Sequence, residues 1–114
     1  MPVGGITSSL TLPWPPRELH PNARVHFAKR SNVARKYKSD CVLLTPKSIA
    51  DGTHLSITFN PPDNRRRDLD GMLSAFKWGI DAIAQVMGVD DYQFSLSLRR
   101  AGPVKGGAVI VEVQ

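Results

Sequence analysis

Residues 69–87 carry the most regular hydrophobic pattern in the chain, and this pattern limits what the chain can fold into. The apolar positions recur at steps of four and three, at Leu69, Leu73, Phe76, Ile80, Ile83 and Met87. At about 100° per residue they form one narrow stripe of an α-helix, which must be buried against other elements. Gly88 follows where glycine commonly ends helices. The sequence therefore predicts one helix over 69–87.

Trp78 falls on the opposite side of this helix, at about 180° from the apolar stripe. A tryptophan there needs a partner, which could be a dimer contact, a DNA contact or cover from the N-terminal segment. We interpret Trp78 as buried in a protein–protein or intrachain contact rather than as a residue that stacks on bases.

Alternating apolar residues predict four strands, at 6–14, 54–59, 93–98 and 107–113. The last two are separated by a glycine-rich loop, so a hairpin is the simplest connection between them. A second helix is expected at about 33–44, with Ser31-Asn32 as its N-cap. Its predicted buried face consists of Val33, Tyr37, Cys41 and Leu44. Residues 1–5 are expected to be a loose start, 17–28 irregular, and Asp51-Gly52 a turn.

These elements predict an α/β (α+β) fold, with residues 1–114 as one small domain in which two helices pack on a mixed sheet of about four strands. No apolar run approaches the ~20 residues of a membrane span, and the N-terminus does not resemble a signal peptide. Cys41 is the single cysteine, which excludes an internal disulfide and a thiolate zinc site. A cytoplasmic location is therefore expected.

The charge distribution is uneven. The formal net charge is +5, yet six of the ten acids fall between positions 63 and 91: Asp63, Asp68, Asp70, Asp81, Asp90 and Asp91. An acidic focus in a basic protein is typical of a metal site on a nucleic-acid-binding surface. The alternative is that a helix and its flanking loops simply carry solvated charge.

Asp68, Asp70 and Asp91 are the candidate metal ligands, provided that the chain turns back after Gly88. Carboxylates without histidine or thiolate suit Mg²⁺, with Mn²⁺ as an option. Lys77 could stabilise negative charge that develops on a phosphate. The alternative makes each of these residues structural, with aspartates as helix caps, Lys77 and Asp81 as an i,i+4 ion pair, and Asp90-Asp91 as turn residues.

Basic residues supply the candidate DNA contacts. Arg65, Arg66 and Arg67 precede the acidic pair directly and could hold phosphates. Lys29 and Arg30 are weaker candidates, because a solvated helix face would explain them equally well. The histidines at 20, 26 and 54 show no ligand spacing and are interpreted as loop or strand residues.

The run Asp63-Asn64-Arg65-Arg66-Arg67-Asp68-Leu69-Asp70, a helix with Lys77, and Val89-Asp90-Asp91 resemble the RusA family of Holliday junction resolvases. The segments Leu12-Pro13-Trp14-Pro15-Pro16 and His20-Pro21-Asn22 are similar to the N-terminus of that family. The resemblance implies a homodimeric, Mg²⁺-dependent endonuclease that cuts four-way DNA junctions by paired nicks. It assigns the metal to Asp68, Asp70 and Asp91. The family lysine often follows the second aspartate by one helical turn, where this chain has Ser74, and Lys77 comes three residues later.

The sequence thus predicts a structure-selective DNA endonuclease acting on branched DNA as a homodimer, with no membrane association. A non-catalytic DNA-binding module with a structural acidic cluster is the main alternative, and loss of activity in chelator would distinguish the two. A protein-interaction domain anchored by Trp78 is a third possibility, against which a steep salt dependence of DNA affinity would argue.

Overall fold

The computed structural model describes residues 8–49 and 52–114; the expected loose start at 1–5 and Asp51 of the expected turn lie outside these residues. Four strands and three α-helices are present in the described residues: β1 Ser8–Leu12, α1 Phe27–Leu44, β2 His54–Asn60, α2 Leu69–Ala75, α3 Lys77–Met87, β3 Ser95–Arg100 and β4 Ala108–Val113. Short 3₁₀ turns at Arg17–Leu19 and Asp91–Gln93 connect them. None of the helices in this part of the chain is long and apolar enough to cross a membrane.

The strands form one mixed sheet in the order β1-β4-β2-β3. β4 is antiparallel to both β1 and β2, and β3 is parallel to β2. The alternation of β1, β2 and β4 puts their large apolar side chains on one face, where they are buried: Leu10, Leu12, Leu55, Ile57, Phe59, Val109, Val111 and Val113. The helices cover this face, so the predicted α+β class and four-stranded mixed sheet are confirmed, with three helices instead of two.

The predicted hairpin between the last two strands is wrong, because β2 lies between β3 and β4. β4 alternates fully buried valines, so its most stable position is the sheet centre, while β3 occupies an edge and is largely exposed. The loop at 101–107 crosses the end of β2 to make this possible. There the Ala101 amide donates to the Phe59 carbonyl and the Val104 amide to the Pro61 carbonyl, both at 2.9 Å.

The predicted single helix at 69–87 is also wrong, because it breaks at Phe76, whose φ is −87° and ψ is 0°. The Phe76 ring is fully buried and packs edge-on against Phe59, with ring centroids 6.0 Å apart. A Cβ at Gly79 would lie only 2.3 Å from this ring. The hydrophobic period continues through Phe76, so periodicity could not reveal the break. As a result, Lys77 becomes the first residue of α3.

The second predicted helix begins earlier than expected. α1 starts at Phe27, and the Nδ1 atom of His26 accepts a hydrogen bond from the Ala28 amide at 3.2 Å. The predicted N-cap at Ser31-Asn32 is therefore wrong, since both residues lie inside the helix. Histidine is an uncommon N-cap, whereas serine and asparagine are common ones. The sequence therefore favoured Ser31-Asn32 over His26.

The middle part of the predicted buried face of α1 is confirmed. Tyr37 and Cys41 are buried, together with Ala34, whereas Leu44 is 54% exposed and was wrongly assigned to this face. The Tyr37 hydroxyl donates to the Pro13 carbonyl at 2.6 Å, which ties α1 to the proline-rich segment after β1. Burial raises the pKa of Cys41 to about 11, so this thiol is unreactive near neutral pH.

Trp78 is half-buried and packs against the core. Intrachain packing therefore covers it, in agreement with one of the two contacts expected from the sequence. This packing within the chain weakens the support for a protein-interaction domain centred on Trp78.

Candidate active site

A cavity of about 340 Å³ brings together three of the four predicted catalytic residues. Asp70 comes from the first turn of α2, Lys77 from the start of α3, and Asp91 from the 3₁₀ turn after α3. Apolar side chains form much of the remaining wall: Leu73, Ile80, Phe94 and Leu96. We call this space the acidic cavity. It gathers charged groups from three elements that are distant in sequence.

The return of the chain after α3 depends on Gly88. This residue has a φ of 73° and a ψ of 29°, the left-handed conformation that glycine adopts without strain. The Val89 amide donates to the Ala84 carbonyl at 3.0 Å, and the Gly88 amide to the Gln85 carbonyl at 3.2 Å. This glycine-ended cap reverses the chain and carries Asp91 back along α3. The turn that the metal hypothesis required is therefore present.

Asp91 meets Asp81, a residue that the sequence did not assign to the site. Burial raises the pKa of Asp81, and a hydrogen bond and the negative charge of Asp91 raise it further. The same hydrogen bond lowers the pKa of Asp91. Asp81 is thus the member of the pair that retains a proton more readily, and Asp91 is the more readily ionised one.

The structural alternative for Lys77 and Asp81 is not supported. Among the described residues, no ion pair within 4.0 Å joins these two side chains. Lys77 is exposed and faces the acidic cavity. Two sequence signals pointed to Asp81: its spacing of four residues from Lys77, and its membership of the acidic group between positions 63 and 91.

Asp68 lies on the other side of the first turn of α2. It holds the N-cap position, but its side chain makes no capping hydrogen bond. Instead it lines a second cavity, of about 350 Å³, with His20, Asn22, Arg66 and Gly71. We call this space the His20 cavity. The interpretation of Asp68 as a helix cap is therefore not supported by its contacts.

Asp90 behaves as a turn residue. Its Oδ1 atom accepts a hydrogen bond from the Tyr92 amide at 3.4 Å and so caps the 3₁₀ turn. Asp91, the next residue, lines the acidic cavity instead. Of the two neighbouring aspartates, Asp91 is the one that lines the cavity with Asp70 and Lys77.

The three predicted metal ligands do not converge on one point. Within residues 8–49 and 52–114, no group of three acidic, histidine or cysteine side chains is close enough to hold a metal ion. Asp70 and Asp91 nevertheless share the acidic cavity, and Asp68 borders the neighbouring one. The donor atoms are carboxylate oxygens alone, and this chemistry fits Mg²⁺ or Mn²⁺.

The three consecutive arginines have different surroundings. Arg67 is mostly buried and donates to the Asp63 carboxylate at 2.8 Å and to the Arg65 carbonyl at 3.3 Å. Its guanidinium also lies 5.7 Å from the centre of the Trp14 ring. The hydrogen bond from Arg67 is the main reason why the pKa of Asp63 is below its usual range. Arg67 therefore shapes the loop at 63–67.

Arg65 and Arg66 are the exposed members of the run. Arg65 makes a longer contact with Asp63, with 3.7 Å between Nε and Oδ2. Arg66 has no ion pair or side-chain hydrogen bond with any described residue, and it borders the His20 cavity. Of the three consecutive arginines, Arg66 is therefore the one that is exposed and without a partner among the described residues.

The two weaker DNA candidates also differ. Arg30 is half-buried and donates to the Ala23 carbonyl at 2.9 Å and to the His20 carbonyl at 3.5 Å. These bonds hold the turn that precedes α1. Lys29 is exposed, and no described residue is paired with its side chain. Lys29 is therefore free to contact DNA, whereas Arg30 has a structural role.

His20 and Asn22 were given no role on sequence grounds, yet both line the cavity that contains Asp68. Burial and the nearby charge of Arg67 lower the pKa of His20, so its ring is neutral near pH 7. The ring centroid lies 6.5 Å from that of Trp14. The similarity of the His20-Pro21-Asn22 segment to a family N-terminus was the only signal that could have identified these residues.

No family model matches the chain. An uncharacterized protein of Xylella fastidiosa is 37% identical over 94 residues, which cover 75% of this chain and 61% of that protein. The crossover junction endodeoxyribonuclease RusA of Escherichia coli K12 is 40% identical over 81 residues, and that of Enterobacteria phage 82 is 38% identical over the same length. These alignments cover 60% of this chain and 62% of each enzyme. The chain is therefore similar to RusA-type endodeoxyribonucleases, and it spans about three fifths of the length of these curated relatives.

Proposed function

We propose that this chain is a Mg²⁺-dependent, structure-selective DNA endonuclease that resolves four-way junctions by paired nicks. The observation that carries the proposal is the meeting of Asp70, Lys77 and Asp91 in one cavity. Arg66, which is exposed and has no ion pair within the described part of the chain, lies on the neighbouring side of α2. The partial similarity to proteins named crossover junction endodeoxyribonucleases supports the same reaction.

Asp70 and Asp91 share the acidic cavity and would hold the Mg²⁺, with Mn²⁺ as a substitute. Asp68 lies at the adjacent cavity and would become a third ligand only if the first turn of α2 rearranged on metal binding. When bound, the metal supplies Lewis-acid polarisation of a phosphoryl oxygen and lowers the pKa of a coordinated water. Asp81, on α3, interacts with Asp91 and would restrict the positions that the Asp91 carboxylate can take.

The cationic side chains would act on the phosphodiester. The Lys77 ammonium group faces the acidic cavity and would stabilise negative charge that develops on the phosphate during cleavage. Arg66 would bind a neighbouring phosphate through its planar guanidinium group, with Arg65 and Lys29 as additional contacts. Carboxylates repel DNA, so these cations offset the repulsion near the site.

We also propose that the active form is a homodimer. Paired nicks in two opposing strands need two equivalent active sites. A dimer with two-fold symmetry has two such sites, one in each copy of the chain. Sedimentation of the protein alone and with a junction measures the oligomeric state directly. A protein that remains monomeric in both states while cutting both strands would contradict the dimer.

The proposal is tested with a labelled four-way junction and a linear duplex of the same sequence, each with Mg²⁺ and with chelator. We expect paired nicks in the junction alone, and only with the metal. In Asp70→Asn, cleavage should fall by about 10²-fold or more because the metal site loses a negative charge, whereas junction binding should persist. A parallel loss of binding and cleavage in this variant would contradict the assignment.

A non-catalytic DNA-binding module is the second candidate. The observation in its favour is that, in the described part of the chain, no three candidate ligands lie close enough to hold one metal. Tight junction binding without cleavage in any divalent metal, and undiminished binding in chelator, would support this candidate and exclude the endonuclease.

A further inference from the structure

The His20 cavity has chemistry that the proposed cleavage does not use. Its volume of about 350 Å³ is in the range of small-molecule sites. Its wall includes an imidazole ring, a carboxamide and a guanidinium group, from His20, Asn22 and Arg66. We propose that this cavity binds the deoxyribonucleotide next to the phosphate that is cut, and that Asn22 reads its base. This inference rests on the proposed function and names how the same site would select its substrate.

The two aspartates that follow the three arginines show where the His20 cavity lies relative to the proposed metal site. Asp70 lines the acidic cavity and Asp68 lines the His20 cavity, so the first turn of α2 separates the two spaces. A DNA strand whose reactive phosphate lies at this turn must continue to one side or the other. On the His20 side it meets Arg66, which has no partner among the described residues and is suited to the next phosphate.

Asn22 has the chemistry to read a base. Its side chain is exposed, and no hydrogen bond to it is formed within the described residues. A carboxamide carries both a donor and an acceptor, which can pair with the edge of one base and not with others. The neutral ring of His20 lies at the same cavity and offers a flat surface for stacking.

The segment that carries Asn22 is held in place before any DNA binds. The Ala23 amide donates to the His20 carbonyl at 3.0 Å and closes the turn. Arg30 donates to the same two residues, to the Ala23 carbonyl at 2.9 Å and the His20 carbonyl at 3.5 Å. An ordered turn loses little entropy on binding, so a base contact made from it discriminates efficiently.

The acidic cavity is a poorer choice for a base-reading contact. Leu73, Ile80 and Leu96 form much of its wall, and no carboxamide lines it. Apolar walls exclude water but do not distinguish between bases by hydrogen bonding. Base selection is therefore assigned to the His20 side of α2.

The test compares junctions that differ only in the base pairs flanking the branch point. Cleavage of each junction is measured in Mg²⁺, and binding is measured with Ca²⁺ in place of Mg²⁺. We expect the wild-type protein to prefer one base at one flanking position. In Asn22→Ala this preference should shrink by about tenfold or more, because cutting of the preferred junction should fall more than cutting of the least preferred one. Asn22→Asp replaces the donor by an acceptor and should change which base is preferred. His20→Ala should weaken binding of all junctions.

Asn32→Ala is the matched control, because Asn32 is an exposed carboxamide on α1 outside both cavities. Circular dichroism establishes that each variant folds. An unchanged base preference in both Asn22 variants, or equal loss at every base, would overturn the inference, as would a wild-type protein without any preference. If the wild-type protein does not cut at all, the proposed function fails, and the Ca²⁺ binding series still decides whether Asn22 reads a base.

Discussion

At the scale of single residues, the contact between Asp81 and Asp91 links stability to pH. Burial and the proximity of Asp91 raise the pKa of Asp81 above its ordinary value of 3.8. An acid whose pKa is higher in the folded state contributes stability at acid pH, and this contribution is lost as the pH rises through the folded pKa. Once both carboxylates are ionised, the repulsion between Asp81 and Asp91 opposes folding.

Asp81→Asn should therefore raise the free energy of unfolding at pH 7, measured by urea denaturation in chelator. The gain should stay below about 1 kcal/mol, because solvent screens a partly exposed pair, and it should vanish below the ordinary aspartate pKa. Asp40→Asn is the control, since Asp40 is paired with Lys36 at 3.0 Å and should show no gain. A variant that is less stable than the wild type at pH 7 would show that the pair is attractive there.

Arg66 and Arg67 provide a second test at this scale, because adjacent arginines have opposite surroundings. Arg66→Ala should weaken junction binding and reduce the slope of log K against log salt by about one unit, with an unchanged Tm. Arg67→Ala should lower the Tm by several degrees, since about 1 kcal/mol corresponds to roughly 4 °C in a domain of this size. Equal effects of the two variants on Tm would contradict the structural role of Arg67.

At the scale of elements, the break between α2 and α3 makes Lys77 the first residue of a separate helix. The buried Phe76 ring occupies the space above Gly79, and the helix begins again at Lys77. Lys77 lines the acidic cavity together with Asp70, seven positions earlier, and this spacing would put both residues on one face of an unbroken helix as well. The break at Phe76 therefore preserves their common face.

Gly79→Ala should destabilise the protein by about 1–3 kcal/mol, because the new methyl group would contact a ring that is itself packed against Phe59. Gly71→Ala is the matched control within α2, where a Cβ meets nothing within 4 Å. It should be neutral or stabilise the protein by up to about 1 kcal/mol, through higher helix propensity. Thermal denaturation of both variants measures the difference, and a neutral Gly79→Ala would show that Phe76 can move at little cost.

At the scale of the whole molecule, acidic and basic groups occupy the same region of a protein with a net charge of +5. The proposed metal would neutralise carboxylates that otherwise repel DNA. Junction affinity should therefore be higher in Ca²⁺ than in chelator, and Asp70→Asn or Asp91→Asn should reduce this difference, with Asp40→Asn unchanged. Fluorescence anisotropy measures the affinities, and a metal-independent affinity in the wild-type protein would favour the binding module.

The sequence alone determined most of the secondary structure and the region of the candidate site. Apolar periodicity located the strands and most of the helical residues, because local burial patterns depend on positions close in the chain. The run of arginines and aspartates at 65–70 identified the region of the candidate site through residue chemistry alone. Its metal and DNA roles stay predictions until the experiments above are made.

Only the tertiary structure decided which separate segments meet. It put β4 in the sheet centre and β3 at its edge, because two strands of similar pattern are distinguished by how much surface each position buries. It broke the long helix at Phe76, brought Asp91 to Asp81, and placed Asp68 beside His20. Each of these outcomes depends on contacts between residues far apart in sequence, and such contacts leave no periodic signal in the chain.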